Sequence, residues 1–125
     1  MAIWAVVSEA VLRRSIANAE GMQQQLRHLV TVASQPNVSV RILPLAAGPT
    51  LASETGAFTV LEFPGRERAA GDWPTTVYSE SLTGALYLEK SGEIRAYEEV
   101  WSALVRLALD GGESKELINM IAGER

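Results

Sequence analysis

The 125-residue chain contains no cysteine, a single histidine (His28) and only two lysines. The absence of cysteine excludes four kinds of feature: disulfide scaffolds, thiolate zinc sites, iron–sulfur clusters and cysteine nucleophiles. The helical pattern around His28 places it opposite the apolar stripe, so neither a catalytic triad nor a histidine metal cluster is expected. Lys90 and Lys115 both adjoin predicted helix starts, which argues against a buried Schiff-base lysine.

The chain also lacks an excess of positive charge and any long hydrophobic run. Eleven Lys and Arg against fifteen Asp and Glu leave a formal charge of -4. Such a chain has no net positive field for a phosphate backbone, so direct nucleic-acid binding is not expected. The apolar stretch from Ile3 to Val7 is too short for a signal peptide or a membrane span. We therefore expect a soluble cytoplasmic protein without membrane contact.

Helix and strand patterns account for most of the chain, which is 47% hydrophobic. The apolar run at residues 3–7 predicts a central strand covered on both faces. A long helix is predicted from the N-cap Asn18 to a stop at Pro36 and Asn37. Its buried stripe follows the helical repeat and consists of Met22, Leu26, Leu29, Val30 and Ala33.

Four further strands are predicted by period-two alternation at residues 38–43, 57–63, 75–80 and 84–89. The short link from Ser81 to Gly84 favours an antiparallel hairpin. A second long helix begins at Ser91, and a short third helix begins at Ser114. The pattern predicts an α+β fold in one domain over residues 1–125, with one mixed or antiparallel sheet of about five strands and the three helices packed on it.

Two long connections, at residues 44–56 and 64–74, interrupt this pattern. Connections of this length are uncommon in compact domains unless they have a function or are disordered. Each is therefore either a mobile surface excursion or a lid or binding loop.

Strand alternation also assigns side chains to the two faces of the predicted sheet, given an assumed register. One face is apolar, and its members are Val38, Val40, Ile42, Leu61, Phe63, Val77, Leu86 and Leu88. The other face mixes aromatic rings with ionisable groups, and its members are Arg41, Phe58, Glu62, Tyr78, Glu80, Tyr87 and Glu89. This composition suits a ligand pocket or a partner interface. A solvated face of an antiparallel sheet gives the same alternation.

The candidate ligand-binding residues are accordingly Arg41, Phe58, Glu62, Tyr78, Glu80 and Tyr87. If the protein is an enzyme, its acid–base groups are expected among Glu80, Glu9 and Tyr78. Glu9 follows an apolar strand and is either a group of raised pKa or a structural partner of Arg41 or of backbone amides. No Walker or dinucleotide-type glycine motif is present, and no metal or cofactor is expected.

A series of residues along nearly the whole chain is similar to a known family. The series comprises Glu9, Leu12, Arg13, Met22, Gln25, Leu26, Leu29, Pro36, Asn37, Val38, Val40, Leu43, Pro44, Gly56, Phe58, Leu61, Glu62, Phe63, Val77, Tyr78, Glu80, Tyr87, Leu88, Glu89, Ala108, Leu109 and Ser114. In order and spacing it resembles DUF5753, the C-terminal domain of unknown function in actinobacterial helix-turn-helix regulators. These are antitoxin-like transcriptional regulators of the xenobiotic-response-element type.

The resemblance implies a domain that receives a ligand or a small partner protein on behalf of a DNA-reading helix-turn-helix. The chain begins at what would be the first strand of that domain, so DNA binding is not carried over. The first hypothesis is a regulatory domain, excised or stand-alone, that binds a small molecule or a small protein. The alternative is a cofactor-independent cyclase or isomerase of natural-product biosynthesis. A homodimer is also expected, because the hydrophobic content and three Trp suggest an apolar patch.

Overall fold

The structure is a computed structural model that describes residues 2–14, 18–48, 56–62, 75–81 and 84–123, without the side chains of residues 80 and 81. The described elements are β1 (Ile3–Ser8), α1 (Glu9–Arg13), α2 (Ala19–Ala33), β2 (Val38–Leu43), a 3-10 helix (Leu45–Ala47), β3 (Phe58–Leu61), β4 (Thr76–Ser81), β5 (Gly84–Leu88), α3 (Ser91–Leu107) and α4 (Gly111–Gly123). The predicted α+β class is confirmed.

The strands form two sheets, so the prediction of a single five-stranded sheet is wrong. β1 and β2 make a parallel pair, while β3, β4 and β5 make an antiparallel sheet in that order. The chain correspondingly divides into two compact units. The first unit comprises residues 1–48 and 105–125, and the second comprises residues 49–104.

The edge of β2 that faces away from β1 explains why the first sheet does not continue into β3 there. The N–H of Ile42 donates to the hydroxyl of Ser114 at 2.9 Å. The carbonyl of Ile42 accepts from the N–H of Leu109, also at 2.9 Å. Groups that would otherwise join a third strand are therefore satisfied by the residues around the start of α4.

The core of the first unit lies between α2, α4 and the β1–β2 pair. The predicted stripe of α2 is confirmed, because Met22, Leu26 and Ala33 are buried and Leu29 and Val30 pack against the same cluster. The predicted N-cap is also confirmed, since the side chain of Asn18 accepts from the N–H of Gly21 at 2.7 Å.

The C-terminal helix begins earlier than predicted and is longer. It begins at Gly111 and has 13 residues, with Ile118, Ile121 and Ala122 in the core. Asp110 caps its first turn by accepting from the N–H of Glu113 at 2.8 Å. The segment at residues 110–112 was predicted only to end α3. It also begins α4, because an aspartate before a helix accepts hydrogen bonds from amides of the first turn.

In the described part of the chain, β1 pairs only with β2, so its predicted central position is wrong. The two strands are joined by α1 and α2, as a parallel pair requires a crossover connection. Trp4 of β1 is 70% exposed. An apolar run of strand length therefore does not distinguish a covered strand from an edge strand here.

The second unit contains the antiparallel sheet. Ser81 pairs with Gly84, which confirms the predicted β4–β5 hairpin. Val77, in the middle strand, is fully buried. On the same face, Phe58 contacts Tyr97 of α3 edge to face, with ring centroids 5.0 Å apart.

Ser114→Ala is expected to destabilise the first unit by about 2 kcal/mol, because it leaves the buried N–H of Ile42 without an acceptor. The serine is fully buried, and its hydroxyl also donates to the carbonyl of Leu109 at 3.3 Å. Urea unfolding measures the loss, and the exposed Ser102→Ala on α3 is the control. A loss below about 0.5 kcal/mol, the usual range for surface changes, would contradict the assigned bond.

Candidate functional site

The six predicted ligand-binding residues do not share one face. Arg41 belongs to β2 in the first unit, whereas Phe58, Tyr78 and Tyr87 belong to the sheet of the second unit. The prediction of a common surface is wrong for Arg41 because it required β2 to pair within the same sheet.

Arg41 has a structural environment of its own. Its Nε donates to the carbonyl of Leu109 at 2.8 Å, and its Nη2 donates to the carbonyl of Ala108 at 3.0 Å. These carbonyls follow the last turn of α3, where a guanidinium satisfies acceptors that the helix leaves open. The arginine therefore fixes the segment between α3 and α4.

Phe58 lies on the face of the antiparallel sheet opposite to the tyrosines. Directly opposed residues of antiparallel strands share a face, and Phe58 is opposite Ser79 while Thr59 is opposite Tyr78. The assumed register of β3 is wrong by one residue, which exchanges its two faces. Leu61, predicted on the apolar face, consequently lies on the side of Tyr78.

Tyr78 and Tyr87 are brought together as predicted. They are directly opposite each other on β4 and β5, and their ring centroids are 5.1 Å apart at an interplanar angle of 54°. Tyr78 is half-buried, whereas Tyr87 is 68% exposed. We call the sheet surface that carries them the Tyr face, and its described members are Thr59, Leu61, Thr76, Tyr78, Ala85 and Tyr87.

The Tyr face carries aromatic, aliphatic and hydroxyl side chains, and four of its six described members are exposed, whereas Thr76 is buried. Leu61 is 41% exposed, and Thr59 and Ala85 are also exposed. Such a combination of exposed aromatic and aliphatic side chains is typical of interaction surfaces. Leu61 is not among the site residues predicted from the sequence. The alternation along β3 does indicate that Leu61 shares a face with Thr59, opposite to Phe58 and Val60.

Acidic residues lie close to this face along the chain. Glu89 is exposed directly after β5, two residues beyond Tyr87. Glu62, predicted beside the tyrosines, is exposed directly after β3, and the observed alternation of β3 continues it to the side of Phe58. The hydroxyl of Thr76 donates to a carboxylate oxygen of Glu89 at 3.5 Å. The backbone of Glu80 is paired with Ala85, whereas its side chain lies outside the described residues.

The charge of the chain is concentrated in the second unit. Residues 49–104 contain nine Asp or Glu and four Lys or Arg, which leaves a formal charge of -5. The remaining residues contain six acidic and seven basic side chains and so carry +1. A ligand of the second unit therefore meets a negative field.

Glu9 is buried in the first unit and both of its carboxylate oxygens have partners. One oxygen accepts from Nε of Arg13 at 2.8 Å. The other accepts from the N–H of Leu45, the first residue of the 3-10 helix, at 2.9 Å. The backbone hydrogen bond from Leu45 and then the bond from Arg13 lower the pKa of Glu9 below its ordinary value of 4.5, against the opposing effect of burial.

This geometry corresponds to the structural interpretation of Glu9, with a backbone amide and Arg13 as the partners. Proton transfer near neutral pH is most efficient for a carboxyl group of raised pKa, whereas these bonds favour the ionised form. Glu9 thereby ties α1 to the segment that follows β2.

Glu9→Gln is expected to lower the free energy of unfolding at pH 7 by about 1.5 kcal/mol, because a charge-assisted bond to Arg13 is lost. The folded-state pKa is depressed, so the stabilisation is present above the unfolded value of 4.5 and is lost as the pH falls through the folded value. Urea unfolding at pH 7 and below pH 4.5 tests this. Exposed Glu116→Gln on α4 is the control, and equal stability of Glu9→Gln and wild type at pH 7 would contradict the role.

The two long connections predicted as lids or binding loops fall mostly outside the described residues. Only residues 44–48 and 56 of the first connection are described, and none of residues 64–74. Within the described ranges, no group of three or more His, Asp or Glu is placed to hold a metal ion. The same ranges contain no helix that is both long and apolar enough to cross a membrane.

Comparison with known proteins identifies one family. A family model described as a domain of unknown function, DUF5753, matches residues 1–120. No curated protein matches the chain, and no solved structure matches it.

Proposed function

Since the chain belongs to the DUF5753 family, for which no activity is described, we propose a function from the site itself: a regulatory domain that binds a small basic protein on the Tyr face. The observation that carries the proposal is the exposed Tyr87 beside Tyr78, with Leu61 on the same face. Tyrosines supply large, rigid contact areas at low entropic cost, and they are enriched where proteins bind proteins.

The negative charge of the second unit favours a basic partner. A formal charge of -5 over residues 49–104 attracts cationic chains and raises their association rate. An arginine or lysine over the exposed ring of Tyr87 gains a cation–π interaction. The carboxylate of Glu89, which is exposed and accepts from the hydroxyl of Thr76 on this face, adds an ion pair at the margin of the same surface.

The openness of the Tyr face favours a protein over a small molecule. Small-molecule sites bury most of their ligand's surface in a concave pocket. The ring of Tyr87, which is 68% exposed on a strand, is instead typical of a side chain that inserts into a pocket of a partner protein. A small protein partner is also what the resemblance of the sequence to regulator domains implies.

The enzyme alternative has less support from the described residues. Of its three acid–base candidates, Glu9 is held by Arg13 and Leu45. Tyr78 packs against Tyr87 with the two rings tilted by 54°, and such a pair suits a contact surface as well as a catalytic site. We therefore propose binding rather than catalysis.

Comparative capture tests the proposed function. Immobilised wild type, Tyr87→Ser and Trp4→Ser are exposed to extracts of cells that naturally produce the protein. We expect a small basic protein on wild type and on Trp4→Ser but not on Tyr87→Ser, and we expect its release between about 0.05 and 0.5 M salt. Equal capture by all three, or capture of an acidic protein that resists salt, would contradict the proposal.

A further inference from the structure

The outer edge of β1 presents backbone groups that no described neighbour uses. The N–H of Ile3 donates to the carbonyl of Asn37 at 2.9 Å, so the odd-numbered residues of β1 bond to β2 in the parallel ladder. The N–H and C=O groups of Trp4 and Val6 consequently point away from β2. Across the described ranges, no hydrogen bond engages these four groups.

The chemistry of this edge is unusual for an exposed strand. Natural edge strands are commonly protected by Lys, Pro, bulges or a covering segment. Residues 2–8 contain no charged residue, no Pro and no Gly. Moreover, Ile3 is 48% and Trp4 is 70% exposed. The edge therefore offers unpaired backbone groups together with apolar side chains.

We propose that β1 pairs antiparallel with β1 of a second copy of this chain, about a two-fold axis at Ala5. This register places Trp4 opposite Val6 of the other copy, and Val6 opposite its Trp4. All four outward groups of each copy then make hydrogen bonds, because residues 4 and 6 occupy hydrogen-bonded positions of the new ladder. The parallel pairs β1–β2 of two copies join into one four-stranded sheet.

The side chains of β1 suit this self-pairing. Two pairs of Trp4 with Val6 form across the axis, and aromatic with β-branched pairs stabilise antiparallel ladders. On the axis, Ala5 meets its own counterpart at a non-hydrogen-bonded position, where Cα atoms approach to about 4.5 Å. A small side chain is needed there, and alanine meets that need.

The absence of charged side chains along β1 allows a second copy as the occupant. Two copies with a formal charge of -4 each repel at long range, so they associate most readily through a surface without ionisable groups. The stretch 2–8 is such a surface. The first carboxylate after it, Glu9, is buried and bonded to Arg13. In addition, the same strand supplies both sides of the contact, as the two-fold symmetry of an isologous dimer requires.

The small size of the β1 edge determines how strongly the two copies are expected to bind each other. One strand edge with the exposed parts of Ile3 and Trp4 provides clearly less than the roughly 800 Å² per partner of a standard interface. The dimer is therefore weak, and it dissociates on dilution through the micromolar range.

Sedimentation velocity over about 5 to 500 μM protein tests the pairing. Wild type should shift from monomer to dimer, and Trp4→Lys should weaken dimerisation at least tenfold because an edge lysine opposes strand pairing. Tyr87→Lys is the matched control, since its ring is equally exposed but lies in the other sheet. A wild type that stays monomeric throughout, or equal weakening by both variants, overturns the proposal.

A cross-linking measurement tests the register and does not depend on Trp4→Lys folding. The chain has no cysteine, so Ala5→Cys introduces a single thiol at the axis. Under mild oxidation, a much larger fraction of Ala5→Cys should form a disulfide-linked dimer than of the control Ala85→Cys, whose position is exposed, at the same concentration. Cross-linking of Ala5→Cys at or below the Ala85→Cys level overturns the proposed register.

Discussion

Ile118→Ala is expected to destabilise the first unit by about 3 to 4 kcal/mol, the largest stability effect of any single change considered for this chain. The side chain of Ile118 is fully buried. It belongs to the cluster that joins α4 to Leu26 of α2 and Ile42 of β2. Truncation removes apolar surface from the core and leaves a cavity that three packed elements cannot close without moving.

This loss is a substantial fraction of the roughly 5 to 15 kcal/mol by which a typical domain is stable. Urea unfolding at 25 °C gives the change in free energy, and hydrogen exchange shows whether α2, β2 and α4 lose protection together. Met120→Ala on the same helix is the control, because Met120 is 53% exposed and should lose less than 1 kcal/mol. A loss for Ile118→Ala below about 1 kcal/mol would refute the assigned core.

Tyr87→Ser is expected to weaken binding of the captured basic protein about 30-fold or more. Truncation of an anchoring tyrosine in an interface typically costs 2 kcal/mol or more, which corresponds to that factor. Two contributions are removed together: the apolar contact area of an exposed ring, and the ring face available to a cation.

Two further variants separate this effect from simpler explanations. Tyr87→Phe retains the ring and should bind within about threefold of wild type, since the ring carries the cation–π and apolar contributions. Trp4→Ser removes an equally exposed aromatic residue of the other sheet and should leave affinity unchanged. Isothermal titration calorimetry measures all three. Equal losses for Tyr87→Ser and Trp4→Ser would show that general surface hydrophobicity is responsible.

Local sequence patterns predicted those parts of the fold that depend on local contacts. The stripe of α2 follows from helical spacing, and its N-cap follows from the side-chain chemistry of Asn18. The pairing of Tyr78 with Tyr87 follows from the hairpin, because the two residues between Ser81 and Gly84 fix the register of every later pair. This is why the centre of the proposed site could be predicted.

Non-local pairing set the limit of prediction. Residues 62–75 separate β3 from β4, and a connection of that length leaves the register free. Alternation alone therefore assigns Phe58 and Leu61 to the wrong faces. Two-residue alternation does not reveal which strands are neighbours. It therefore groups Arg41 of β2 with the tyrosines, although β2 belongs to the other sheet. The bonds from Arg41 to Ala108 and Leu109 span almost seventy residues of sequence.

Buried polar residues were the hardest to interpret from sequence. The position of Ser114 predicted a helix start, whereas its hydroxyl in fact closes the edge of β2. Glu9 had both a catalytic and a structural interpretation, and only its distances to Arg13 and Leu45 distinguish them. The bond to Arg13 is an i, i+4 pair within α1, which helix spacing indicates. The bond from Leu45 depends on tertiary structure, which local patterns do not encode.

Site-specific photo-cross-linking in cells that naturally produce the protein tests the central claim most directly. A photoreactive phenylalanine analogue replaces Tyr87 in one variant and Trp4, 70% exposed, in another. We predict a covalent adduct with a small basic protein from position 87 that is absent from position 4. No adduct from position 87, or the same adduct from both positions, would contradict a partner-binding Tyr face.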